Sequence, residues 1–170
     1  YYYNKNKSVR TAAFGLSTRR RYTDMPVAKE IYHAMDDPKM QKMVIETQEK
    51  RERILADGAK VPYLYVHGAI PENEIKFILC IPEEENYEGR FFQYLSPFPG
   101  PDEEVASLDK TGEDDRIAFA LTHGAYFVES NMGSKFAFGG AADPTLCWKA
   151  SAAVAEHSRK FVMDLYGVGR

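Results

Sequence analysis

The sequence is poor in cysteine and lacks any long apolar run. Its 170 residues include two cysteines, Cys80 and Cys147, which are too few for a disulfide framework, so buried structural thiols are expected. No apolar run approaches the roughly 20 residues that a membrane-spanning helix needs, and the first residues do not have the pattern of a signal peptide. The histidines are scattered along the chain, and we predict neither a metal site nor a cofactor. These absences argue against a disulfide-stabilised scaffold and against a membrane span.

One segment of the chain lacks acidic side chains and another has few basic ones, although the whole chain has a net charge of only −3. Residues 1–21 carry six basic side chains and no acid. Residues 83–115 carry eleven acids against two basic side chains. The small net charge predicts no nucleic-acid partner, and we expect the basic N-terminal arm to be solvated or packed against a partner chain.

The N-terminal third is predicted to be an arm followed by helices. One helix is predicted from residue 24 to about residue 35, with a proline in its first turn. A second, highly charged helix is predicted over residues 39–56, and Asp57-Gly58 is expected to end it. We therefore divide the chain into a basic arm with a helical extension, residues 1–58, and a second part, residues 59–170.

The second part alternates between short apolar runs and helical patterns. Its first two β-rich runs are separated by turn residues, which predicts a hairpin. A further buried strand, a helix, another strand and a long helix follow. In chain order, the predicted elements are strands 61–70, 75–81 and 90–95, helix 116–123, strand 125–130 and helix 143–166.

This order of elements predicts an α/β fold that contains a parallel strand–helix–strand unit. The last helix needs a following strand, but none is predicted before Arg170. A parallel sheet with so few strands also leaves apolar faces and strand edges uncovered. We therefore expect another chain, or a continuation of this one, to complete the fold.

The segment RFFQYLSPFPG, residues 90–100, places a proline-rich loop at the carboxyl end of a strand. Ligands of open α/β sheets bind at this edge. Of residues 97–99, only Phe98 has a backbone N–H, because its neighbours are prolines. A rigid turn that displays one N–H suits a donor of an oxyanion hole. The predicted substrate-binding residues of this loop are Ser96, Pro97, Pro99 and Gly100; the alternative is an ordinary proline-rich connection.

A second candidate loop follows the next predicted strand. Asn131 is positioned to orient a substrate, Met132 follows it, and Gly133 permits a close approach of the backbone. If the two strands are neighbours, both loops line one crevice. The alternative is a glycine-rich connection without a binding role. The chain contains no G-x-S-x-G turn, so the nucleophile of such a site is expected to lie outside it.

Taken together, residues 61–167 resemble the first half of an α/β-hydrolase catalytic domain. The hairpin is similar to the first two strands of that fold, and residues 91–100 are similar to its third strand and oxyanion loop. The most specific stretch is ALTHGAYFVESNMGS, residues 120–134. It is similar to the helix end, strand and loop of tannase/feruloyl-esterase-like enzymes and of prolyl-oligopeptidase-like peptidases.

The resemblance implies a serine hydrolase that cleaves a carboxylic ester by acyl transfer. It implies a Ser–His–Asp/Glu triad in the missing half, with the nucleophilic serine beyond Arg170 and the Phe98 N–H as an oxyanion donor. The implied partner is therefore a second chain or a C-terminal continuation that carries the triad. Two alternatives stay open, namely a peptidase of the prolyl-oligopeptidase type and a non-catalytic hydrolase-like protein for binding or assembly.

Overall fold

The chain forms one mixed sheet with a helix on each face. The computed structural model describes residues 34–97, 99–102, 107–135 and 144–167. These residues form five strands, β1 (Val44–Ile54), β2 (Lys60–Ile70), β3 (Ile75–Pro82), β4 (Arg90–Tyr94) and β5 (Ala125–Ser130), and two α-helices, α1 (Arg116–Thr122) and α2 (Pro144–Tyr166). Short 3-10 turns lie at Ala34–Asp36, Pro38–Met40, Pro71–Asn73, Glu84–Asn86 and Gly112–Asp114.

The order of strands across the sheet is β1-β2-β3-β5-β4. β2 and β3 form the predicted antiparallel hairpin, which closes at the pair Ile70–Ile75. β3 then pairs antiparallel with β5, and β5 pairs parallel with β4. The prediction of an α/β fold with a parallel strand–helix–strand unit is therefore confirmed.

The helix predicted over residues 39–56 was wrong. Residues Val44–Ile54 form strand β1, which pairs antiparallel with β2 from Val44–Ala69 to Ile54–Lys60, with one register shift between Ile45 and Thr47. The expected helix stop at Asp57-Gly58 is instead the turn of a hairpin, in which Leu55 N–H donates to the Ala59 carbonyl at 2.8 Å.

The error has a physical cause in the composition of β1. Its many Glu, Lys and Arg residues favour a helix when they are considered locally. Pairing with β2 overrides that preference, since tertiary context decides marginal segments. The basic arm and residues 24–33 of the first predicted helix lie outside the described residues, and the predicted end of that helix falls in the 3-10 turn Ala34–Asp36. The division at residues 58 and 59 stays a prediction, and β1 pairs with β2 across it.

Each face of the sheet carries its own hydrophobic core, because side chains alternate along a strand. On one face, α2 packs against residues such as Val66, Leu79 and Val128. On the other face, α1 packs against residues such as Tyr63, Ile78 and Phe127. The sheet is therefore buried on both sides at its centre, as a sheet with α/β connections requires.

Strand β4 is less buried than the sequence predicts. It forms the outer edge of the sheet beside β5, and Arg90 and Phe91 are exposed. Phe91 retains 40% of its accessible surface. The prediction of a buried strand over residues 91–95 was therefore wrong for Phe91 and Leu95, which are both exposed, because no element among the described ones covers the outer side of β4.

Both helices end where the sequence predicts. The Asp115 carboxylate accepts a hydrogen bond from Ala118 N–H at 2.9 Å and caps the start of α1. Gly124 follows α1 and Gly167 follows α2, both with positive φ. His157 is a buried core histidine as predicted, with Nε2 at 2.7 Å from the Met40 carbonyl oxygen. Within the described ranges, neither helix is long and apolar enough to cross a membrane.

Candidate functional site

The loops that follow β4 and β5 meet at one edge of the sheet. The two strands run parallel, so their carboxyl ends lie side by side. A hydrogen bond joins the loops directly, from Asn131 Nδ2 to the Pro101 carbonyl at 3.2 Å. The structure thus brings together the two segments that the sequence singles out.

The segment after β5 is a tight turn over residues 131–134. Ser134 N–H donates to the Asn131 carbonyl at 2.8 Å, and the central residues Met132 and Gly133 have positive φ values of 51° and 73°. Two successive positive φ values are typical of a type I′ turn. A Cβ atom on Gly133 would lie 2.7 Å from Leu146 Cδ2, so the close approach predicted for Gly133 is made to helix α2.

The Asn131 side chain uses all of its hydrogen-bonding capacity within the protein. Its Nδ2 donates to the carbonyls of Glu74 at 3.0 Å and Pro101 at 3.2 Å. Its Oδ1 accepts from the N–H groups of Lys76 and Gly133, both at 3.0 Å. Asn131 is 1% exposed. The predicted contact between Asn131 and a substrate stays a prediction; the geometry itself gives this side chain a structural tie.

The proline-rich loop is described in part. Ser96, Pro99 and Gly100 are half-buried, and Pro97 is exposed. Phe98 lies outside the described residues, so its role as an oxyanion donor stays a prediction. The glycine-rich segment over residues 136–143 also lies outside them.

Two ion pairs bridge the start of β3 to the loops. Lys76 Nζ lies 3.3 Å from an oxygen of Asp102, and Lys135 Nζ lies 2.7 Å from an oxygen of Glu74. All four side chains are exposed, and exposed pairs contribute about 0–1 kcal/mol each. The buried Asn131 amide is therefore the stronger tie between the loops and the sheet.

One buried acid near this edge belongs to the second candidate segment, but the sequence assigned it no role. Glu129 is 1% exposed and lies opposite Ile78 and Tyr94, one residue before the end of β5. By alternation it faces the same side as Phe127, which packs under α1. The signal was present in the sequence as a carboxylate at an inward position of an apolar strand.

The remaining reactive side chains do not add to the site. Burial raises the pKa of the Cys80 thiol well above its usual value, which keeps it protonated and unreactive. Cys80 is thus the buried structural thiol that was expected, and Cys147 is half-buried on α2. His67 pairs with Glu46 in the β1–β2 hairpin, with Nδ1 at 2.8 Å from Oε2. Among the residues that the structure describes, no cluster of His, Cys, Asp and Glu is arranged to hold a metal ion.

Comparisons with known proteins add little to this description of the site. No model of a known protein family matches the chain, and no curated protein matches it in sequence. A solved structure of tannin acyl hydrolase from Aspergillus niger is similar over 74% of this chain, with a TM-score of 0.45 and 12% identity. The match spans 24% of that structure's chain, or about a quarter of its length. At this level a likeness supports no conclusion about activity.

Proposed function

We propose that this chain is the first half of the catalytic domain of a serine hydrolase of the α/β-hydrolase type, and that the enzyme cleaves carboxylic esters. The observation that supports this most is the pair of loops after β4 and β5, joined by the bond between Asn131 and Pro101. In α/β hydrolases, the loop after the third strand supplies one oxyanion donor. Here β4, which the resemblance matches to that third strand, leads into the proline-rich loop.

In the proposed reaction, a serine Oγ adds to the carbonyl carbon of the ester. The π electron pair moves to the carbonyl oxygen, and the Phe98 N–H and an N–H next to the serine stabilise this oxyanion. The C–O bond to the alcohol then breaks, and a histidine that has taken the serine proton gives it to the leaving group. Water releases the acyl group by the same steps. Serine, histidine and acid all come from outside this chain in the proposal.

The position of α2 supports a further strand beside β4. The Tyr166 hydroxyl, at the end of α2, donates a hydrogen bond to the Pro82 carbonyl at the end of β3. Because β3 is antiparallel to β5, that end of β3 lies where β4 and β5 begin. Gln93 Nε2 also donates to the Ser151 carbonyl at 2.9 Å, which places α2 against β4. In the proposal, the chain that continues from α2 starts a third parallel strand from this edge of the sheet.

The second candidate function is a non-catalytic, hydrolase-like protein used for binding or assembly. The absence of a G-x-S-x-G turn from these 170 residues favours it. A serine peptidase is a third outcome, because the same loops would serve a peptide carbonyl equally well. Two observations distinguish the three candidate functions: whether a nucleophilic serine is present, and whether an ester or a peptide bond is cleaved.

A fluorophosphonate probe on the protein purified from its natural source tests the proposal. We expect one labelled serine in a peptide that is not part of these 170 residues, together with hydrolysis of p-nitrophenyl esters. Mass spectrometry of the labelled peptide identifies the serine and the chain that carries it. The absence of any labelled serine would reject the enzyme and support the binding protein; cleavage of peptides without esters would reject ester specificity.

A further inference from the structure

We propose that Asn131 is a positioning residue that holds Pro101, and with it the described part of the proline-rich loop (residues 95–97 and 99–102), in the geometry that catalysis requires. This inference deepens the proposed function and rests on it for the catalytic consequence. The two loops lie together at the carboxyl ends of β4 and β5, and the Asn131 amide is the buried group that joins them.

Asn131 is held to the sheet on its own side by two hydrogen bonds with one residue. Its N–H donates to the Lys76 carbonyl, and its Oδ1 accepts from the Lys76 N–H, both at 3.0 Å. These bonds extend the pairing of β3 and β5 by one residue beyond the pair Phe77–Ser130. The carboxamide therefore starts from a rigid element, which is what a positioning group needs.

The Asn131 Nδ2 group provides a hydrogen-bond donor to a loop that has few N–H groups of its own. Pro97, Pro99 and Pro101 have no N–H, so the loop presents more carbonyls than donors. Asn131 Nδ2 satisfies the Pro101 carbonyl and, with its other proton, the Glu74 carbonyl. The loop end is thereby fixed to Glu74, the residue that directly precedes β3.

An asparagine is required for this set of contacts. The side chain must donate twice and accept twice within one short, planar group, and among short side chains only asparagine does both. Aspartate keeps the oxygen that faces Lys76 and Gly133 but replaces both donors by an acceptor. Asn131→Asp therefore removes the tie to the loop and leaves the acceptor half in place.

Two measurements test the proposal, enzyme kinetics and hydrogen exchange. Both are made on the full natural protein, once as wild type and once with the substitution Asn131→Asp. We expect kcat for p-nitrophenyl ester hydrolysis to fall about 10- to 100-fold with KM changed less than about threefold, since a displaced oxyanion donor acts on the transition state. Amide exchange over residues 95–102 is expected to rise about tenfold, while exchange in β5 is unchanged. Lys76→Met, which removes the exposed ion pair to Asp102, is the matched control and is expected to leave both readouts within about twofold.

A measurement on the wild type keeps the test valid if Asn131→Asp does not fold. In NMR spectra, both Asn131 side-chain amide protons are expected to exchange at least tenfold more slowly than those of Asn73, whose amide donates to the Lys39 carbonyl in an exposed position. Equal exchange of the two side chains would overturn the tie, as would unchanged exchange of the loop in Asn131→Asp. A wild type without hydrolase activity would reject the proposed function, whereas an active Asn131→Asp with wild-type kcat would reject the positioning role alone.

Discussion

The two outer strands of the sheet are built from different residues. β1 presents charged side chains over most of its eleven residues, whereas β4 is five residues long and carries two phenylalanines and a tyrosine. Both strands have a neighbour on one side only among the residues that the structure describes. This difference is what the proposal of a further strand beside β4 expects, since it leaves β1 as the edge that faces water.

The β1 edge has the features by which natural sheets avoid further pairing. Arg51 pairs with Glu49 within the strand, and Lys60 pairs with Glu52 across the hairpin. A register shift between Ile45 and Thr47 interrupts the ladder. Charged side chains and bulges both discourage a further strand from pairing.

Aromatic side chains at the β4 edge remain partly exposed although each contacts neighbouring rings. The rings of Phe91 and Tyr126 stack with centroids 5.7 Å apart, and Phe92 lies 5.7 Å from Phe119. Phe119 nevertheless remains 52% exposed. Half-covered aromatics on both faces of an edge strand are typical of an interface. We infer that β4 lies inside the sheet of the complete protein, next to the further strand proposed above.

The largest loss of stability is expected from a substitution on the inward side of β1. Arg53 points inward, where it pairs with the buried Asp115 carboxylate at 2.7 Å and donates to the Leu108 carbonyl. Arg53→Met is expected to lower the free energy of unfolding by about 3 kcal/mol, because it leaves a buried carboxylate without its cation. Urea denaturation followed by circular dichroism measures this. A loss below about 1 kcal/mol would mean that β1 is held by its ladder alone.

The next effect compares exposed apolar residues near the two edges. Phe119 beside β4 and Ile54 on β1 are 52% and 64% exposed in this chain. If the complete protein covers β4, Phe119→Ser is expected to cost it about 2 kcal/mol, against less than about 1 kcal/mol in the 170-residue chain. Ile54→Ser is the matched control and is expected to cost the same in both. Equal costs of Phe119→Ser in the two proteins would remove the distinction between the edges.

The next prediction concerns the pH dependence of stability that arises from Cys80, at the centre of the sheet and away from both edges. Burial raises the pKa of the Cys80 thiol, so the folded chain keeps a proton that the unfolded chain releases near pH 8.5. The stabilisation is therefore fully present below about pH 8.5 and is lost as the pH rises towards the pKa of the folded state. At pH 9.5 we expect a loss of about 1.4 kcal/mol relative to pH 7.5. Cys80→Ala is expected to reduce that pH dependence by the same amount; an unchanged dependence would assign it to other groups.

The smallest effect is expected at the outward face of β1. Lys60 and Glu52 form an ion pair at 2.7 Å in which both side chains are more than half exposed. Lys60→Met is expected to leave the midpoint of urea unfolding nearly unchanged, because an ion pair between exposed side chains contributes little to stability. Parallel urea titrations of this variant and Arg53→Met measure the contrast directly. A large loss in Lys60→Met would show that the outward charges stabilise the strand and do not only protect its edge.

The sequence was sufficient for the elements with a strong local signal. β2, β3 and β5 are apolar runs bounded by turn residues, and both helices have residues that mark their ends, such as Asp115 and Gly124. β1 was missed because an exposed edge strand has few apolar positions, so its composition favours a helix when no partner is considered. Its register with β2 is a tertiary property.

The candidate site was predictable in position but not in its contacts. The strand ends that carry Pro97 and Gly133 follow from the order of elements. The role of Asn131 did not follow, because its partners Glu74, Lys76 and Pro101 are 30 to 57 residues away along the chain. Long-range hydrogen bonds of one side chain leave no periodic signal in the sequence.

Hydrogen exchange of the backbone amides of β4 tests the central claim most directly. The measurement compares the protein purified from its natural source with the 170-residue chain. If β4 is an interior strand, all amides of Arg90–Tyr94 are expected to be protected like those of β5 in the natural protein, while the outward-facing ones exchange fast in the 170-residue chain. Fast exchange of those outward amides in both proteins, as expected for the outward amides of β1, would contradict the account.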